Sequence, residues 1–91
     1  MSDAYLKPHE KVLLAGRGPL IASDIYDEVT SGRPFRAADL VGRLPCITHL
    51  AVRTQRAMII ATLKMIFREG EATGDPQAVR VGHGWSLTGL G

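Results

Sequence analysis

Along most of the chain the apolar residues recur with a period near four, and past residue 78 with a period of two, which predicts helices followed by a β-ribbon. The longest helical pattern covers residues 48–69, about 33 Å if fully helical. On a wheel of 100° per residue, Val52, Gln55, Ile59, Thr62, Leu63 and Ile66 gather on one side with Met58 and Met65 at its margin. Arg53, Arg56, Ile60, Lys64 and Arg68 form a stripe about 120° wide on the other. One face is core and one is cationic; Gln55, on the core side, reads as structural. Upstream, Ile21, Ile25 and Val29 recur every fourth residue, with Asp24, Asp27 and Glu28 opposite, so a helix is expected over 20–31 with Pro19 leading it and Gly32 capping it.

The weaker segments are read from their breakers. Residues 8–15 fit a short helix with Pro8 in its first turn or a buried strand, the helix being preferred, and Gly16-Arg17-Gly18-Pro19 ends them. Arg33-Pro34-Phe35 is an extended link. A brief helix is expected over 36–44, with Leu40, Val41 and Leu44 inward and Pro45 as its stop. Gly70 is expected to close the long helix, and Glu71-Ala72-Thr73 to pair with the later ribbon across the turn-rich stretch 74–77. In that ribbon Val79, Val81, His83, Trp85 and Leu87 alternate with Arg80, Gly82, Gly84, Ser86 and Thr88, with a tight turn or bulge at Gly82-His83-Gly84. The expected class is α+β, mostly α: three to four helices followed by a C-terminal β-hairpin. Residues 1–91 form one domain in this reading, with a flexible arm over 1–7, a helical part over 8–70 and a hairpin over 71–88.

Composition narrows the class. Ninety-one residues suffice for one small core and exclude a two-domain enzyme or a barrel. An apolar fraction of 45% with 22% charged residues is that of a chain that folds. No apolar run approaches the roughly 20 residues of a membrane span, and the N-terminus lacks the pattern of a secretory signal. One cysteine, Cys46, agrees with a reducing compartment, so a cytoplasmic location is expected, with no membrane partner.

The net charge of +2 is unevenly spread. Residues 32–70 carry Arg33, Arg36, Arg43, Arg53, Arg56, Lys64 and Arg68 against only Asp39 and Glu69, whereas both flanks are net acidic. Arginine presents a planar fork that matches phosphates and guanine edges, so this block favours an anionic partner.

The chain order, together with Leu63-x-x-Ile66-x-x-x-Gly70-Glu71-Ala72 and the closing Trp85-Ser86-Leu87-Thr88, resembles the winged helix-turn-helix family over residues 19–88. From Leu44 to Gly70 the chain is about two helical turns longer than that family's usual spacing. The resemblance implies a transcriptional regulator that binds double-stranded DNA as a homodimer without a cofactor. It implies a third helix in the major groove, with His49, Arg53 and Arg56 as base-edge candidates, helped by Thr54 or Gln55 if the register rotates. It further implies Arg33, Arg36 and Arg43 on phosphates around the second helix, Lys64 as another DNA-binding residue, and Arg80 or His83 reaching from the wing to an adjacent phosphate or the minor groove. Winged-helix domains also bind proteins, so the alternative is an interaction module such as a phage-type inhibitor or adaptor.

Other signals are weaker. Cys46-x-x-His49 lacks the further ligands of a structural zinc site. Gly16-x-Gly18 lacks the rest of a nucleotide fingerprint. Ser23, Ser86 and Cys46 lie in no recognised nucleophile setting, so neither catalysis nor a metal is expected.

Overall fold

Three α-helices and a C-terminal antiparallel hairpin make up the molecule in a computed structural model that describes residues 3–29 and 32–88. Helix α1 spans Pro8–Leu14, α2 Gly18–Glu28 and α3 Val52–Thr73, and the strands are β1, Ala78–Val81, and β2, Gly84–Leu87. The α+β, mostly helical class read from the pattern is the one observed, and the topology is consistent with a winged helix. Among the described residues, no helix is long and apolar enough to cross a membrane.

Helix α3 organises the rest, because α1, α2, β1 and both 3-10 turns pack on it. Ile59, Thr62, Leu63 and Ile66 are buried as the wheel predicts, and so are Met58 and Met65. The methionine margin is therefore interior. Val52, the first residue of the helix, departs from expectation at 66% exposed. Ile21 and Ile25 of α2 and Leu14 of α1 complete this layer. The helix expected over 20–31 ends at Glu28; its predicted last residues, Thr30 and Ser31, lie outside the described residues.

The long helix has the expected length but lies four residues further on. Residues 48–51 precede the helix as a turn and a bend, and the helix runs through Gly70 to Thr73, where Gly74 takes the left-handed cap at φ +75°. Gly70 is needed for a different reason than chain reversal. A Cβ there would stand 2.9 Å from Pro76 Cα and 3.1 Å from Gln77 N, because the returning chain crosses directly over the helix. Glu71-Ala72-Thr73 is thus helical, not a strand.

The helix expected over 36–44 is absent. Ala37–Leu40 forms a short 3-10 turn, its entry fixed by the Arg36 N–H donating to the Asp39 carboxylate at 2.9 Å. Gly42 then adopts φ +81°, and Pro45 has no N–H to continue a ladder. The connection is held by side chains instead. Gln55 accepts from the Gly42 N–H at 2.8 Å and donates to the Leu50 carbonyl at 2.7 Å, and Asp24 accepts from the Cys46 N–H at 3.1 Å. Leu40, Leu44 and Ile47 are buried by these turns, whereas Val41 is half-buried.

Strand β2 is flanked on both sides, which explains why all four of its residues are buried. On one side it pairs with β1 in the register Ala78↔Leu87, Val79↔Ser86, Arg80↔Trp85 and Val81↔Gly84. On the other, Phe35 exchanges both backbone hydrogen bonds with Trp85, at 2.7 and 2.8 Å, and the Gly32 N–H donates to the Leu87 carbonyl at 2.8 Å. Gly84 has no room for a side chain there, since its Cβ would lie 2.5 Å from the Phe35 carbonyl oxygen. The two-residue turn at Gly82-His83, with Gly82 at φ +58°, pairs odd positions with even ones. Val79 and Val81 are consequently on the opposite face from Trp85 and Leu87, and Arg80 shares Trp85's face, the reverse of a simple alternation carried through the turn.

Of the arm expected over 1–7, residues 3–6 pack on α3, and residues 1 and 2 lie outside the described residues. Asp3–Tyr5 forms a 3-10 turn, Leu6 is buried, and the Tyr5 carbonyl accepts from Arg68 at 3.0 Å.

Candidate nucleic-acid interface

The nine cationic or histidine positions singled out in the sequence are all exposed, but they fall into separate groups. Arg53, Arg56 and Lys64 lie along one face of α3, about 16 Å apart from first to last. Ile60 sits half-buried between them. None of these three cations, nor Arg80, has an acidic partner among the described residues. His49 is not on this face: it stands in the turns before the helix, three residues ahead of its first residue.

The stripe continues into the hairpin. Lys64, Phe67 and Arg68 of α3 line one open cleft with Arg80 of β1 and Trp85 of β2. The Arg80 guanidinium carbon stands 4.5 Å from the Trp85 ring centroid, within cation–π range, and Phe67 meets the same ring edge-on at 6.2 Å. Arg80 thereby lies over the Trp85 ring of the hairpin and stays exposed.

Arg33, Arg36 and Arg43 lie elsewhere, around the extended link. Arg33 and Arg43 line an open cleft of about 630 Å³ with Glu28 and Asp39, and Arg43 pairs with Glu28 at 3.3 Å. Arg36 and His83 line a neighbouring cleft that also contains Asp39. This second surface is mixed in charge, because two carboxylates face the three arginines. The basic block of the sequence is thus divided into a cationic α3–hairpin face and a partly compensated link region.

Arg68, the last cation of the stripe, is drawn inward. It binds Glu10 at 2.6 Å through one guanidinium nitrogen and at 3.5 Å through the other, and Glu10 also accepts from the Lys7 N–H at 2.7 Å. Burial pushes the Glu10 carboxyl up, but the Arg68 hydrogen bond, the Lys7 N–H, the Arg68 charge and His9 together outweigh it, and the net direction is down. The sequence offered no signal for this pair, which joins residues 58 apart.

Burial, followed by the hydrogen bond and charge of Asp24, pushes the Cys46 thiol up to about 11, so it is a poor nucleophile at neutral pH. Among the described residues, no three His, Cys, Asp or Glu side chains come together as a metal site.

Compared with known families, curated proteins and solved structures, the chain matches none of them significantly.

Proposed function

We propose that this protein binds double-stranded DNA through the exposed face of α3 and the adjoining hairpin, as a small regulator of transcription. The observation that carries this reading is the run of Arg53, Arg56, Lys64 and Arg80, four cations without acidic partners among the described residues, on one helix face continuous with the β-ribbon. Its helical part, about 16 Å long, exceeds the roughly 12 Å width of the major groove, so its two ends meet phosphates on either side. Arg53 and Arg56, on the first turns of α3, then hold phosphates on one side of the groove and Lys64 those on the other. Dimerisation draws no support from the methionine margin, which is buried, and rests on the small contact area of a single copy.

The test is a titration of labelled random duplex followed by fluorescence anisotropy at several salt concentrations. Four phosphate contacts predict a log–log salt slope of about −3.6. Arg53→Ala combined with Arg56→Ala is expected to weaken binding about 30-fold or more and to reduce the slope by about 1.8. Unchanged affinity in the double variant would remove the α3 face from consideration. A second reading, a protein partner, is favoured at the link region, where Glu28 and Asp39 beside Arg33 and Arg43 suit a peptide of mixed charge better than a polyanion.

A further inference from the structure

We infer that the cleft between the C-terminal half of α3 and the hairpin is a binding site for a planar aromatic anion of nucleotide size, of which a nucleoside monophosphate is the simplest member. Its volume of about 360 Å³ falls at the lower end of the range for small-molecule sites. Its walls are Lys64, Phe67, Arg68, Arg80 and Trp85: three cations, two aromatic rings and no carboxylate. That composition sets it apart from the two clefts around the extended link, where Glu28 or Asp39 would repel a phosphate.

The charges in the cleft do different work. Arg68 is tied to Glu10 and to the Tyr5 carbonyl, so its charge is compensated and its side chain forms a fixed wall. Lys64 and Arg80 have no acidic partner among the described residues, leaving two positive charges at the mouth. A phosphate monoester carries about −1.5 to −2 at neutral pH, which matches them. The aromatic part of the ligand is required by the floor. Trp85 is only 4% exposed beneath the Arg80 guanidinium, so an incoming ring stacks on the outer face of that guanidinium, with Phe67 beside it. A bare phosphate leaves the aromatic side of the cleft unused, and a neutral ring leaves Lys64 unpaired. Lys64 and Arg80 are shared with the proposed duplex-binding face, whereas Arg53 and Arg56 do not line the cleft, so a variant of those two separates the two readings.

Trp85 is the sole tryptophan of the chain, so its fluorescence reports on this site directly. Adenosine monophosphate is titrated into the whole protein, with adenosine and inorganic phosphate as half-ligands. A saturable change is expected with half-saturation below about 1 mM, each half-ligand being weaker by about tenfold or more. Lys64→Met and Arg80→Met are each expected to weaken adenosine monophosphate about tenfold, with affinity read by calorimetry because Arg80→Met alters the tryptophan's surroundings. Arg53→Ala with Arg56→Ala leaves it unchanged. The absence of a saturable response up to about 10 mM, or equal affinity in the Lys64→Met variant, overturns the site. Equal binding of inorganic phosphate and the nucleotide overturns the aromatic class of ligand.

Discussion

At the scale of single residues, side-chain chemistry decides which polar groups are structural. Gln55 lies on the apolar side of the α3 wheel, and the structure shows why it belongs there: it closes the Gly42 and Leu50 backbone groups that no helix satisfies. Its placement was legible from periodicity, its partners were not, because they lie in turns whose geometry depends on the packed core. Asp24 is similar. It reads as a solvent-side carboxylate of α2, yet it holds the Cys46 N–H and stands beside the thiol. With the thiol pushed up to about 11, roughly one molecule in a thousand carries a thiolate at pH 8. Cys46 should therefore react with a disulfide reagent far more slowly in the folded protein than in denaturant at the same pH. Equal rates would show that Asp24 and burial leave the thiol unperturbed.

At the scale of elements, local pattern predicted which segments are helical better than where they stop. Helix α3 was evident from the wheel because its buried side repeats over several turns, but its boundaries shifted. Gly70 reads locally as a terminator, whereas the structure uses its missing side chain to let the Asp75–Gln77 backbone pass. Two effects oppose each other in Gly70→Ala. Alanine gains up to about 1 kcal/mol of helix propensity, and overpacking against backbone that has no free rotamer costs about 1–3 kcal/mol. We expect a net loss of about 1 kcal/mol, measured as a lower urea midpoint with unchanged slope. A rise in the midpoint would mean that the returning chain yields easily. The segment 36–44 failed in the other direction. Its apolar spacing is that of a helix, but Gly42 at φ +81° and the capture of its N–H by Gln55 favour a chain of turns.

At the scale of the whole molecule, the Arg68–Glu10 pair fastens the N-terminal segment to the end of α3. The Glu10 side chain is 5% exposed and that of Arg68 28%, so removing the carboxylate strands a partly buried cation. Glu10→Gln is expected to cost about 2 kcal/mol, or about 10 °C in Tm. Its pH dependence has a definite sign. Because the folded carboxyl lies below its ordinary 4.5, the stabilisation is present above that pH and is lost as pH falls through the lower folded value. Thermal melts from pH 7 downward should show a steeper loss in the parent protein than in Glu10→Gln. Parallel curves would mean that the pair adds no pH-linked stability.

The division of labour between sequence and fold follows from the range of the forces involved. Period and breaker residues act within a few positions of one another, so the helical class, the buried side of α3, the hairpin turn at Gly82-His83 and the cationic stripe of Arg53, Arg56 and Lys64 were determined by the sequence alone. Only the tertiary structure decided that Arg68 turns inward to Glu10, that Arg43 is paired with Glu28, and that Arg80 lies on Trp85 beside Lys64. Each of those contacts joins residues more than four positions apart. Their free energy depends on burial and geometry that exist only once the chain has closed on itself.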